Sequence, residues 1–391
     1  MSCRTEATVD HNYRFCPDPA PVVADRLRAL LRARLLDEIT GEPIEVDARL
    51  RTDVHGAHVH RVAGGNVGLV GQPARLFPAL ASTAVQLDLM VEAIGYLPRT
   101  LAGTLGPLPG FPAAFAPLEL GDVDLHRRAV SVRGRCVQRA SLAPAAVSGA
   151  TVRVDGVWFT FPPPNVSPAM LMQPPNLVHL TPGFYAQRDA ATASVQRRGL
   201  LPVAGQDKRL LVPASLGSRR LRLSDRIGLA AGMPLRIDAA DPGHIEDIVI
   251  DALDVTFSDD QPAWLTLAHP LACTHIDGAL CMASVPQAAG TGNDLARDAI
   301  AGDECAFLAS LTAIAEGITV EVSDGVTPPE YHQAQLYETL SDANGYFRLP
   351  PVARAAMVLI HAEHGALSPP GDFSFAPDYR LADNRIAITF P

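Results

Sequence analysis

A chain of 391 residues carrying a net charge of −10, with a pI near 5.6, has room for two to four domains and presents no evident basic stripe of the kind that neutralises phosphates. Nucleic acid and anionic membrane surfaces are therefore not expected as partners, and no apolar run is long enough to insert into a bilayer. The 48% hydrophobic fraction excludes wholesale disorder, while 6% aromatics with 34 prolines and 30 glycines suits many turns and short strands.

Residues 1–25 read as an N-terminal tail without the apolar core of a secretion signal. The protein is expected to be made and kept in the cytoplasm, unless it leaves as part of a released particle or by a signal-independent route. Cysteines stand at 3, 16, 136, 273, 281 and 305 with no C-x-x-C pair, so free, mostly buried thiols are expected. A Cys3–Cys16 bridge is expected only if the protein ends up outside the cell.

Leu31-Arg32-Ala33-Arg34-Leu35 alternates apolar or small residues with arginines, the period of a half-buried strand. Ala24–Leu36 also fits an amphipathic helix, with Leu27, Leu30, Leu31 and Leu35 on one face. Strand is preferred because the turn-rich run from Asp37 to Pro43 follows directly. A second alternating run covers Ile44–Arg51. Val85–Tyr96 and Leu118–Arg127 complete a domain at 26–127. Val132-Arg133-Gly134-Arg135-Cys136 then repeats the pattern of 31–35 position for position. Gly149-Ala150-Thr151-Val152-Arg153-Val154 follows it. The counterparts of the later strands appear only at Tyr337–Pro350, Met357–Gly365 and Asp383–Phe390, which defines a second domain split into 128–158 and 331–391. Repeats this far apart indicate tandem domains, not a solenoid.

Between the two pieces, 159–209 reads as a proline-rich extended connector, whose first part, Phe159–Pro182, cannot supply regular helix or a central strand. Residues 210–286 carry several short alternating runs broken by Gly, Pro and Asp, and read as a small inserted β domain. Residues 287–330 read as a helix with a connector. The helix spans Asp294–Gly317, with Leu295, Ile300, Phe307, Leu308, Leu311 and Ile314 as its apolar stripe, Asn293 as N-cap and Gly317 beyond its end.

These elements resemble the carboxypeptidase regulatory-like domain, a transthyretin-like sandwich. The likeness rests on Gly149–Val154, on Ser341-Asp342-Ala343-Asn344-Gly345-Tyr346-Phe347, on Ala93-Ile94-Gly95-Tyr96 and on Leu120–Leu125. Asn344-Gly345 is also the preferred two-residue hairpin turn. In the first copy Gly64-Gly65-Asn66-Val67-Gly68 stands in for that hairpin. The resemblance implies a mainly β chain of tandem seven-stranded Ig/transthyretin-like sandwiches, with an inserted small β domain and one helix. The chain also resembles accessory proteins of phage-tail-like contractile injection systems, which implies a role inside a larger protein assembly.

The metal-like candidates are His55, His58 and His60, of which the last two share a strand face. His269, Cys273 and His275 form a looser set, and His361 and His364 flank Glu363. Each falls short of the three matched ligands a metal site needs, so polar surface or structural roles are expected and no cofactor is assigned. There is no Gly-x-Ser-x-Gly elbow and no Walker loop. The Gly-rich run Ala289–Gly292 lacks the lysine and the βαβ setting of a phosphate loop and reads as a linker. The expected function is a non-enzymatic structural or adaptor protein. A carbohydrate-binding module using Trp158, Phe159, Tyr185 and Trp264 is the alternative. A metalloenzyme hidden in the insertion comes third.

Overall fold

The computed structural model describes residues 4–8, 11–15, 27–139, 143–159, 176–239, 241, 244–367 and 370–391. The chain divides into two compact units, Met1–Asp37 with Gly41–Leu125, and Glu38–Thr40 with His126–Pro391. Candidate residues Cys3 and Cys16 and most of the proline-rich run lie outside the described residues.

In the first unit, β1 (Arg4–Thr8) and β2 (His11–Phe15) pair antiparallel. They are followed by β3 (Arg28–Asp37), β4 (Ala48–Arg51), β5 (His58–Val62), β6 (Asn66–Gly71), the single-turn helix α1 (Pro73–Leu76), β7 (Val85–Ala93), β8 (Arg99–Leu105) and β9 (Leu118–Leu125). Strands β3 to β9 form a sandwich whose sheets run β5-β6-β3-β9 and β4-β7-β8. The alternation of β3 decides its fate: Leu31, Ala33 and Leu35 enter the core with Leu69, Leu87 and Leu89, while Arg32 and Arg34 face outward. The turn between β5 and β6 uses Gly64 and Gly65, both at positive φ; a Cβ on Gly65 would come within 2.5 Å of the Leu35 carbonyl.

The second unit opens with β10 (Val130–Gln138), β11 (Ala145–Ala146) and β12 (Thr151–Trp158). An insertion then contributes β13 (Leu177–Thr181), β14 (Ser194–Arg197), β15 (Leu200–Arg209), β16 (Arg220–Leu223), β17 (Pro234–Ile237), β18 (Glu246–Leu253), β19 (Ala263–Leu267), β20 (Leu280–Pro286), β21 (Gly292–Asp294), β22 (Cys305–Phe307), β23 (Thr319–Ser323) and β24 (Glu330–Leu336). The host resumes with β25 (Glu338–Leu340), β26 (Tyr346–Val352), β27 (Met357–Glu363), β28 (Phe373–Phe375) and β29 (Asp383–Phe390). Its sheets run β11-β10-β26, with β29 also on β10, and β25-β12-β27-β28. The chain is thus mainly β and sandwich-like. In each sandwich the closing strand lies parallel to the opening one, β9 on β3 and β29 on β10, and the strand before the turn at Gly95 or Gly365 sits centrally in the opposite sheet.

Four expectations need correction. Asp294–Gly317 is not a helix, and α1 is the one helix among the described residues. Gly302 and Ala313 hold positive φ, which breaks any helical run, and the helically spaced apolar residues feed two different cores: Leu295, Leu308 and Ile314 one, Phe307 the other. The stretch 159–209 is no connector where it is described. It supplies β13, β14 and β15, and β13 is buried between β22 and β24 although prolines flank it. Asn344-Gly345 is not a hairpin turn. Only Gly345 has positive φ, and the strands it joins belong to opposite sheets: β25 pairs with β12, β26 with β10. The Asp342 carboxylate shapes this corner by accepting from the amides of Asn344 and Tyr346, each at 2.8 Å. Finally, the inserted β domain does not stop at 286, because its strands share one twelve-stranded sheet with β13, β14 and β21 to β24.

Candidate functional site

The insertion has two apolar cores. One gathers Leu221, Leu235, Ile248 and Leu265; the other gathers Val178, Leu180, Val195 and Val320. Strand β18 meets β24 at Asp247 and Tyr331, and a buried polar cluster runs along that seam. Arg188, with its side chain fully buried, donates to Glu330 (2.7 Å), Asp324 (3.0 Å), Thr327 and the Pro328 carbonyl (3.2 Å). Glu330 also accepts from the Tyr185 amide at 3.0 Å and lies 3.2 Å from His332 Nε2. Burial alone would raise the Glu330 carboxyl, but His332, Arg188 and the Tyr185 amide together hold it below its usual value. Nearby, His275 bridges Glu246 (2.9 Å) and Asp238 (2.5 Å), while Glu246 accepts from the amides of Ala272 and Cys273. Burial opposes the charged imidazole of His275, yet its two carboxylate hydrogen bonds outweigh it and raise its pKa. Arg188, Glu246, His275, Glu330 and His332 are buried at the cluster's centre, and Asp238 and Asp324 form its partly exposed edge.

A second buried cluster fixes the insertion to its host. Asp303 accepts from Ile300 N (2.9 Å) and Arg354 (3.3 Å), and lies 3.2 Å from His126 Nδ1. Arg354 also donates to Glu38 at 3.0 Å. Burial pushes Glu38 up from its usual value against the pull of Arg354 and His126. Arg354 holds a φ of 59°, a conformation costing a non-glycine residue roughly 1–2 kcal/mol. Beside it, Cys305 and Phe307 of β22 enter the core of the host sandwich, and Tyr337 Oη sits 2.8 Å from Cys305 Sγ.

The sequence candidates land elsewhere. His55, His58 and His60 are exposed, the last two on β5, and their ring nitrogens do not converge on a shared point with a third ligand. The one convergent group of metal-ligating side chains among the described residues is Asp155, His361 and Asp372 on the outer face of the second sandwich. There His361 Nδ1 lies 2.8 Å from Asp372, and Arg153 already donates to Asp155 at 2.8 Å. His364 stands apart from this group and instead faces Phe390 edge-on. Within the second loose set, His275 is consumed by its carboxylates, His269 stacks on Tyr185, and Cys273 is a free thiol. Burial pushes the Cys136 thiol up to about 11 and those of Cys281 and Cys305 to about 12, so none is a reactive thiolate.

The aromatic candidates do not form a platform. Trp158 and Tyr185 are core residues, so neither is available for stacking on a ligand. Phe159 packs edge-on against Phe307 beneath Arg297, and Trp264 lies beneath Arg220 and Arg222.

The arrangement that sequence reasoning missed is basic. On the outer face of β26, β10 and β29, Arg348, Arg133 and Arg385 stand directly opposite one another across three strands. Arg135 lies two residues along β10, with its guanidinium 5.2 Å from the Tyr346 ring. The arginines of β10 were visible as half of a repeat, but the row is assembled from strands distant in sequence, and no local run announces it.

No family model matches the chain, and no curated protein matches it. Among solved structures, two forms of BcpA, the major pilin subunit of Bacillus cereus, align with 92% and 93% of this chain and 99% of their own. Identities are 7% and 8% and TM-scores 0.17 and 0.18, values too low to define a common fold. No helix among the described residues is long and apolar enough to cross a membrane.

Proposed function

We propose that the chain is a non-enzymatic scaffold or adaptor subunit that holds its insertion in a fixed orientation for assembly with other proteins. The observation that carries this reading is the buried junction of Glu38, His126, Asp303 and Arg354. Burying charges at a contact is costly, and a cluster whose charges satisfy one another sets geometry more than it adds stability. The left-handed backbone of Arg354 at the same point favours the reading, since strain persists only where surroundings impose it. The sequence likeness to carboxypeptidase regulatory-like domains and to accessory proteins of phage-tail-like contractile particles suggests such a particle as the setting. Affinity purification of a tagged chain from its native cells, followed by electron microscopy of any particle recovered, tests both levels. Stoichiometric co-purification of assembly proteins is expected. A chain recovered alone under gentle lysis, at native expression, would overturn the scaffold reading; capture in an assembly without a contractile tail would remove only the setting.

A further inference from the structure

The two sandwiches present the same sheet face with different electrostatics, charge-paired in the first and basic in the second. In the first, the outward Arg32 of β3 is flanked by Gly68 on one side and Glu119 on the other, and Arg34 by Asn66 and Asp122. Glu119 and Asp122 ion-pair with those arginines. In the second, the matching positions around Arg133 are Arg348 and Arg385, and those around Arg135 are Tyr346 and Ala387. Both acids of the closing strand are gone and two arginines have been added. Like charges directly opposite across strands are unfavourable, so nothing in folding alone asks for this row. Asp383, beside Arg133 and 3.7 Å from Arg385, is the one carboxylate in ion-pair contact with the row among the described residues. Asp342 at the edge is occupied by backbone amides.

From this contrast we infer that the arginine face of β26, β10 and β29 binds a linear acidic polysaccharide through its carboxylate or sulfate groups. The face is an open groove of about 660 Å³, with Tyr346 and Leu340 exposed at its margin as apolar surface for sugar rings. Guanidinium groups are suited to bidentate contact with planar or tetrahedral oxyanions. Adjacent strands lie ~4.8 Å apart, so the row presents a repeating cation at the spacing of neighbouring strands. A protein partner fits less well, because interface centres are depleted of charge and the centre of this face is Arg133 with an arginine on each side. A nucleic acid would meet the same arginines but lacks the pyranose rings that Tyr346 and Leu340 would cover, so duplex DNA is a comparator in the test.

The test is binding of the whole chain to immobilised polygalacturonate and to dextran sulfate, which separates carboxylate from sulfate. Neutral dextran, duplex DNA and poly-glutamate serve as comparators. Binding to at least one acidic glycan is expected, falling steeply once salt exceeds ~0.15 M, where charges are screened beyond ~8 Å. R133Q/R348Q and R385Q are each expected to weaken binding at least tenfold, about the effect of one lost charge-assisted hydrogen bond. R32Q/R34Q, on the matching face of the first sandwich, is expected to bind as wild type. Far-UV circular dichroism and melting temperature establish folding, and the three face arginines are expected to be removable without a drop in melting temperature because their row is self-repelling. Absence of acidic-glycan binding, equal affinity for DNA or poly-glutamate, or undiminished binding by both folded variants overturns the inference.

Discussion

Replacing Arg188 by Met tests whether the buried seam of the insertion is held by its charges. The Arg188 and Glu330 side chains are both wholly inaccessible, and Asp324 is 18% exposed. Met keeps most of the stem volume and removes the fork that reaches Glu330, Asp324, Thr327 and the Pro328 carbonyl. Removing one partner of a buried pair costs about 3–5 kcal/mol, since the other is left charged without a counter-ion. Glu330 keeps the Tyr185 amide and His332, so the lower end of that range, ~3 kcal/mol, is expected. Arg188→Lys retains the charge but loses the fork, and is expected to fall between wild type and Met. The measurement is urea unfolding at neutral pH, followed by far-UV circular dichroism and by tryptophan fluorescence, with hydrogen exchange of β23 and β24 locating the effect. The deficit has a definite pH dependence. Without Arg188, burial pushes the Glu330 carboxyl upward, and a protonated Glu330 no longer needs a cation. The difference between Met variant and wild type should therefore be largest near neutrality and shrink as pH falls into the carboxylate range. A loss below ~1 kcal/mol, or a deficit unchanged down to pH ~4, would refute the assignment of the seam's strength to this pair.

Two further perturbations separate backbone and protonation effects. Gly345→Ala places a Cβ 2.3 Å from the Cys136 carbonyl at a φ of 78°, and should cost more than the ~1–2 kcal/mol of left-handed strain alone; Gly149→Ala, at 76° with open space around it, should cost only that strain. Equal losses for the two in denaturant unfolding would show that the close approach at the corner is absent. His179 is buried on β13 and burial lowers its pKa to about 4, so the folded state keeps it neutral while the unfolded chain takes up a proton below its ordinary value. Stability should fall as pH drops from ~6.5 towards 4, by up to about 3 kcal/mol from this residue. His179→Leu should lose less than wild type over that interval, and an identical pH profile would count against the burial argument.

What was legible in the sequence follows from how far each signal travels along the chain. The alternation at 31–35 and 132–136 is local, and one face of each strand is buried, so period and position sufficed to find β3 and β10 and to see them as a pair. The closing strands were legible for the same reason. Asn344-Gly345 misled because a favoured turn dipeptide says nothing about which sheets its flanking strands join; Asp342 had the deciding role. Residues 294–317 misled because Phe307, Leu311 and Ile314 keep helical spacing while serving two different β cores, and Gly302 and Ala313 hold positive φ. Strand β13 was hidden by its proline neighbours. The pairs Glu246–His275 and Arg188–Glu330 are separated by 29 and 142 residues, and nothing near either member predicts the other.

The insertion and its host also prove less separable than a nested pair of domains. Strand β13 pairs with β24, Val178 opposite Leu336, so the insertion's own sheet brings its two ends together. The return strand β25 then lies beside β12, Arg153 opposite Glu338. Loop closure rises only slowly with length, and here the gap is already closed by hydrogen bonds, so a long insertion costs the host little entropy. The coupling lies in the packing. Leu177, Cys305 and Phe307, all from the insertion, sit in the same buried cluster as Val132, Val152, Phe347 and Phe390 of the sandwich. A sandwich made only of 128–158 and 331–391 would lack those three side chains and would leave Arg354 without the Asp303 carboxylate. The insertion is therefore part of the sandwich's core, and the contacts that orient it are among those that fold the host.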